Sequence, residues 1–135
     1  MDTEHAQSTN TADEADKLRL RLRIYQEHEI AFGPGKADLL EEIQKTGSIS
    51  QAAKQLNMSY RRAWLLVDTM NRCFSEPLVT TQTGGNHGGG AQVSAMGLNV
   101  LRLFREMEHT AVAAVMPQYG QLTALMQQAE TSSTD

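Results

Sequence analysis

Cysteine is almost absent from the 135 residues: Cys73 is the only one. That excludes an internal disulfide framework and any metal site built from several thiolates. Long apolar runs are missing too, since no stretch approaches the roughly 20 residues that a membrane helix needs. The N-terminus, MDTEHAQSTNTADEADK, lacks the apolar core of a signal peptide. A cytoplasmic chain with no membrane partner is therefore expected. Aromatic residues make up only 5% and hydrophobic residues 40%, as in a small globular protein, and 135 residues leave room for one domain and are too few for a multidomain enzyme.

Surplus positive charge is also lacking. The formal net charge is -4, which argues against a nucleic-acid partner, because phosphate neutralisation usually needs excess Lys and Arg. The acid is unevenly placed, however. Asp2, Glu4, Asp13, Glu14 and Asp16 all precede the first base, Lys17, so residues 17–135 hold 12 basic against 11 acidic groups. Residues 1–16 hold no aromatic or β-branched aliphatic residue, cannot bury enough apolar area to offset ordering, and read as a disordered acidic tail, as does the terminal TSSTD.

What is present alternates in character. Leu18-Arg19-Leu20-Arg21-Leu22-Arg23-Ile24 has the period of a strand with one face buried. Arg19, Arg21 and Arg23 then form an outward row, expected to protect a sheet edge and pair with Glu27 or Glu29. A polar bend through Gln26, Glu27 and His28 leads to Ile30-Ala31-Phe32 and Gly33-Pro34-Gly35. Leu39, Leu40 and Ile43 recur at helical spacing, and Gly47 supplies a left-handed stop, so a first helix is predicted over 35–46. Ser48-Ile49-Ser50-Gln51 has the form of a capping box and opens a short second helix carrying Ala52, Ala53 and Leu56 inward. Asn57 ends it, and Ser59 caps a third helix reaching about Phe74. Two capped helices with so short a turn make a helix-turn-helix.

Beyond Pro77, Leu78-Val79-Thr80-Thr81-Gln82 and Ala91-Gln92-Val93 flank a glycine-rich tip and predict a hairpin. From Ser94 a long helix carries Val100, Leu101, Leu103, Phe104, Met107, Ala111 and Ala114 until Pro117 interrupts it, followed by a short helix over 118–129. Its length and broad apolar face exceed what one small domain needs and ask for a second chain. The expected divisions are a tail at 1–16, a domain with its long dimerisation helix at 17–116, and a terminal segment at 117–135.

No catalytic constellation emerges. The glycine-rich tip fails the Walker A pattern, because no lysine follows Lys54, and it fails the dinucleotide spacing as well. The histidines at 5, 28, 87 and 109 show neither HExxH nor a CxxC partner, so no metal and no cofactor are expected. Cys73 reads as a small core residue and not a nucleophile. The third helix is the informative element. Tyr60, Ala63, Trp64, Val67, Met70, Asn71 and Phe74 fall on one stripe expected to be core, while Arg61, Arg62, Leu65, Thr69 and Arg72 point away from it. Ser59, Arg61 and Arg62 stand at the helix N-terminus, where the backbone dipole adds to two guanidinium groups able to bond guanine edges or phosphates. Asp68 lies near this face and would repel a phosphate, which confines contact to the first two turns.

The run Gly47-Ser48-Ile49-Ser50-Gln51-Ala52-Ala53-Lys54-Gln55-Leu56-Asn57-Met58-Ser59-Tyr60-Arg61-Arg62-Ala63-Trp64, with Met70-Asn71, Thr83-Gly84-Gly85 and Gly88-Gly89-Gly90-Ala91 after it, resembles the DNA-binding domain of ModE-type molybdate-responsive transcriptional regulators. The winged head of LysR-type regulators is a more distant relative. The resemblance covers about residues 17–116. It implies a mainly α fold with a small β-sheet, a winged helix-turn-helix whose first strand and long C-terminal dimerisation helix build a homodimer on double-stranded DNA. By the same resemblance the candidate contacts are Ser48, Ser50, Ser59, Tyr60, Arg61, Arg62 and the wing residues Thr81, Thr83, Asn86 and His87.

Two departures matter. Family members typically carry an Arg where Thr81 stands and a Lys in the stretch of Asn86 and His87, whereas Pro77 to Leu101 here contains no Asp, Glu, Lys or Arg. Regulators of this type also carry a C-terminal oxyanion-binding region, for which the six residues after Ala129 leave no room. Molybdate sensing is then not implied, and control would fall to another effector or a separate effector-binding partner. The expected function is a non-enzymatic, dimeric, sequence-specific DNA-binding regulator. Its alternatives are an interaction module that kept the fold but lost DNA contact, and a small-molecule enzyme supported by the glycine-rich loop alone. An uncharged wing predicts that log affinity for DNA falls with log salt at a shallow slope, a few units at most, measured by titration at several ionic strengths.

Overall fold

The computed structural model describes residues 17–82 and 90–127. The expected acidic tail, the wing tip at 83–89 and the terminal TSSTD lie outside the described residues. In chain order the elements are β1 (Ile24–Gln26), β2 (Glu29–Phe32), α1 (Pro34–Thr46), α2 (Ile49–Gln55), α3 (Tyr60–Cys73), β3 (Val79–Gln82), β4 (Gly90–Val93) and α4 (Ala95–Thr123). One compact unit spans Arg21–Met107, and a second combines Met1–Leu20 with Glu108–Asp135. Among the described residues no helix is long and apolar enough to cross a membrane.

The alternation at 18–24 governs burial but not hydrogen bonding. Leu18, Leu20, Leu22 and Ile24 are half-buried and Arg19, Arg21 and Arg23 exposed, yet the ladder starts only at Ile24. There β1 pairs antiparallel with β2, Ile24 opposite Phe32 and Gln26 opposite Glu29, with a bulge between Ile24 and Tyr25. The expected long strand fails for want of a partner. β2 gives way to Gly33 and then to Pro34 at the head of α1, and proline has no N–H to extend a ladder.

Local capping matches the sequence closely. α1 begins one residue earlier than expected, with Pro34 in its first turn, and ends at Gly47, whose φ of 70° is left-handed and whose N–H donates to Ile43 O at 2.7 Å. Ser48 Oγ accepts from Gln51 N–H at 3.1 Å, opening α2. The other half of the capping box is supplied differently, since Ser48 N–H donates to Thr46 Oγ1 at 3.2 Å. Asn57 turns the chain at φ 57°, and Ser59 Oγ accepts from Arg62 N–H at 3.0 Å to start α3. Ala52 and Ala53 are buried, as close helix crossing requires.

The core of the Arg21–Met107 unit centres on Phe32. Its ring meets Phe104 edge-on, with centroids 5.1 Å apart, and Phe74 at 6.2 Å. Leu39, Leu40, Ile43, Val67, Met70 and Leu78 complete the buried cluster. The expected hairpin forms with Val79 opposite Val93 and Gln82 opposite Gly90. It is fastened at three points. Asn71 Oδ1 accepts from Leu78 and Val79 N–H at 2.9 and 3.1 Å while its Nδ2 donates to Val79 O at 3.0 Å. Ala91 N–H donates to Gly47 O at 2.9 Å. Ser94 Oγ donates to Pro77 O at 2.7 Å and accepts from Gly97 N–H at 3.0 Å, capping α4 as expected.

α4 does not stop at Pro117. It continues to Thr123, 29 residues in all, or about 44 Å at the α-helical rise, and absorbs most of the expected terminal helix. A proline removes one backbone donor; here Pro117 and Ala113, four residues before it, are both exposed, so water can serve the freed carbonyl. In the second unit Ala111, Val112, Val115, Met116 and Tyr119 form a half-buried stripe along α4. In the first, Arg105 bonds Asp38 at 2.8 Å and Glu41 at 3.0 Å, tying α4 to α1.

Gly97 is fixed by close approach. A Cβ there would collide with Leu78 O and lie 2.7 Å from Val93 Cγ1. Gly97→Ala is expected to lower the unfolding free energy by about 2 kcal/mol through overpacking. Asn71→Ala should lower it by about as much, by stranding backbone groups of Leu78 and Val79. Urea denaturation checks both.

Candidate nucleic-acid interface

α3 is divided along its length. Ala63, Val67 and Met70 are buried, with Leu66 and Phe74 packed against the core. Tyr60 and Trp64, expected on the core stripe, are instead 56% and 37% exposed and meet edge-on with ring centroids 6.2 Å apart. At about 100° per residue, the buried stripe is centred near Ala63 and Val67, which leaves Tyr60 and Trp64 on its flank. The first two turns of α3 therefore present Tyr60, Arg61, Arg62, Trp64 and Leu65 to solvent.

Charge is partitioned in the same way. At the C-terminal end Arg72 is locked: its Nη1 and Nη2 donate to the two Glu29 carboxylate oxygens at 3.1 Å each, and its Nε donates to Asp68 at 3.2 Å. Glu29 is thus taken by Arg72 and not by the Arg19, Arg21 and Arg23 row, a pairing across 43 residues that the local sequence does not announce. The bidentate Arg72 bond, helped by a hydrogen bond from Cys73, holds the Glu29 carboxyl below its ordinary range. Burial, with Glu29 beside it, pushes the Cys73 thiol up, which disfavours the thiolate; Cys73 is half-buried and stands outside the core cluster in which it was expected. Asp68, expected to repel a phosphate, is partly neutralised by Arg72.

At the N-terminal end the balance is reversed. Arg61 and Arg62 are exposed, and among the described residues neither has a carboxylate within ion-pair distance. Lys36 on α1 adds positive charge beneath them; burial pushes its ammonium down, and the Arg62 charge acts in the same direction. Ser59 uses Oγ as an acceptor for the cap, so its hydroxyl hydrogen stays available to donate. Ser48 and Ser50 lie together at the start of α2 with hydroxyls 3.1 Å apart, Ser48 half-buried in its capping role and Ser50 exposed. Thr81 is exposed in β3. Thr83, Asn86 and His87 fall outside the described residues. No group of three His, Cys, Asp or Glu able to hold a metal occurs among the described residues. Two features escaped the sequence reading: the Asn71 clamp, signalled by an amide set within an apolar stripe, and the exposure of Tyr60 and Trp64 beside the outward Leu65.

A helix-turn-helix followed by a hairpin and a long helix defines a winged helix-turn-helix protein. Comparison with known proteins specifies it further. The chain has homologues among ModE transcriptional regulators. It is 36% identical over 94 residues to the molybdenum transport protein ModE of Azotobacter vinelandii, covering 70% of this chain and 35% of that one. It is 37% identical over 89 residues to the transcriptional regulator ModE of Haemophilus influenzae, 66% of this chain and 35% of the other. It is 35% identical over 88 residues to the DNA-binding transcriptional dual regulator ModE of Escherichia coli, 65% of this chain and 33% of the other. The chain thus spans about a third of the length of these curated relatives. A structure of a MepR mutant from S. aureus bound to an oligodeoxyribonucleotide is similar at a TM-score of 0.44 and 15% identity, over 90% of this chain and 86% of that one. No protein-family model matches.

The Glu29 shift carries a sign. A carboxyl held below its ordinary value of 4.5 stabilises the fold above that pH and loses the contribution as pH falls through its depressed value. The thermal midpoint should fall as pH drops below the ordinary carboxyl value of 4.5, and Glu29→Gln should flatten part of that fall. An unchanged profile would show that the pair contributes nothing.

Proposed function

We propose that the chain is a sequence-specific DNA-binding transcriptional regulator without enzymatic activity, acting as a homodimer on a two-fold symmetric duplex site. The observation that carries this reading is the pair Arg61 and Arg62, exposed at the capped N-terminus of α3 with no carboxylate among the described residues to hold them. The third arginine of the helix, Arg72, is by contrast consumed internally. In the proposed complex the first two turns of α3 enter the major groove, where a guanidinium can bond guanine O6 and N7 together. Ser59 and Tyr60 flank that contact, Ser48 and Ser50 reach the backbone from α2, and Thr81, Thr83, Asn86 and His87 touch the flank from the wing. The names of the ModE homologues, transcriptional regulators, support the same reading.

The dimer rests on α4, which leaves Leu98, Leu103, Met107 and Leu122 between 41% and 59% exposed. A second copy covering such side chains would remove apolar surface from water and set two reading heads about one helical turn of DNA apart, or a multiple of it.

Selection of bound fragments from a random duplex pool at fixed salt should yield a two-fold symmetric sequence. The double variant Arg61→Ala with Arg62→Ala should bind that sequence at least about 30-fold more weakly, the loss of roughly 2 kcal/mol of base contact, while melting as the wild type does. Unchanged affinity would favour an interaction module that keeps the fold without reading DNA.

A further inference from the structure

Leu65 occupies the middle of the outward face of α3 and is 58% exposed. Single exposed leucines are common on protein surfaces, but this one has company. Of the six residues from Tyr60 to Leu65, three are large, apolar-bodied and exposed: Tyr60, Trp64 and Leu65. The neighbours one turn back and one turn on have different fates. Arg61, four residues earlier, has no carboxylate partner among the described residues, whereas Asp68, three residues later, is paired with Arg72. The face therefore consists of an apolar side chain framed at one end by free guanidinium groups and closed at the other by a neutralised ion-pair network.

A protein partner for such a surface would need an apolar hollow bordered by acid. Duplex DNA offers the same combination without special design, because the phosphates supply the acid and the major groove presents one apolar group, the C5-methyl of thymine. Resting on the DNA-binding reading above, we infer that Leu65 reads the 5-methyl group of a thymine in each half-site, next to the base contacted by Arg61. Residues four apart lie about 6 Å apart along a helix axis, and DNA base pairs are about 3.4 Å apart. The thymine thus falls one or two base pairs from the guanine. A leucine offers no hydrogen-bond acceptor to the cytosine amino group, so it discriminates against cytosine at that position as well as in favour of the methyl.

Replacing each thymine of the selected site in turn by deoxyuridine removes the methyl and nothing else. In the wild type one thymine per half-site should respond, with affinity falling about 3- to 5-fold, the effect of exposing one buried methyl-sized group. In Leu65→Ala the same replacement should change affinity by less than about 1.5-fold, and in Leu65→Gln the pool should select adenine there. Either no responsive thymine in the wild type, or an undiminished response in Leu65→Ala, overturns the assignment of Leu65 while leaving DNA binding intact. Failure of the wild type to select any sequence overturns the DNA-binding reading and this one with it.

Discussion

Three phenylalanine rings from distant parts of the chain fix where α3 can lie. Phe32 at the end of β2 is completely buried, with Phe104 of α4 against one edge and Phe74 at the end of α3 against another. Rings of this size bury large apolar areas and prefer edge-on geometry, so the cluster sets both position and orientation. Because it seizes the C-terminal end of α3, the opposite end is what remains for solvent or a partner. The buried side chains of α3 run from Ala63 to Met70, with the half-buried Phe74 just beyond its end, whereas the exposed large ones lie within Tyr60–Leu65.

Electrostatics follow the same division. An overall charge of -4 says little about the surface that meets a partner, because the described carboxylates nearest the other cations are already engaged. Glu29 and Asp68 hold Arg72, Asp38 and Glu41 hold Arg105, Glu106 holds Arg102 and Glu42 holds Lys45. These pairs are mostly exposed and individually add little stability. Arg61 and Arg62 stand outside every such pair, as do Lys17, Arg19, Arg21, Arg23, Lys36 and Lys54, but they alone lie at the start of α3, where the backbone dipole is also positive. A local field of one sign can therefore sit on an acidic chain.

Much of this was legible in the sequence wherever the physics is local. Ser48, Ser59 and Ser94 cap helices, and Gly47 and Asn57 take left-handed conformations, because each role is decided by residues within four positions. Long-range pairing was not legible. The Leu18–Ile24 alternation reported which side chains are covered, since burial needs only an apolar surface, but a ladder also needs a partner strand and β2 is too short to supply one. The exposure of Tyr60 and Trp64 depends on which edge of the α3 stripe the rest of the fold reaches, and helical spacing alone does not say. Pro117 was read as a stop because proline lacks a donor, whereas the helix needs only a solvated carbonyl in exchange. The Arg72–Glu29 pair joins residues 43 apart, beyond the reach of any periodicity.

The hairpin poses the remaining physical question, since it carries no Asp, Glu, Lys or Arg and cannot hold a phosphate by charge. What it has is fixed position. Asn71 ties its first strand to α3 with three hydrogen bonds, Gly47 O receives Ala91 N–H from its second strand, and Ser94 ties Pro77 to the start of α4. Within the Arg21–Met107 unit these bonds join the hairpin strands to the helix-turn-helix and to the start of α4. In the proposed complex a wing fastened at its strands would contribute by shape, with backbone amides and hydroxyls set against a groove whose position is fixed by α3. Hydrogen bonds of that kind weaken less with salt than ion pairs but supply little non-specific affinity. In the proposed dimer the deficit is met by engaging two heads at once, because the second binds at the high effective concentration set by the first. A regulator so built would depend more on the geometry of its two reading helices than on its charge.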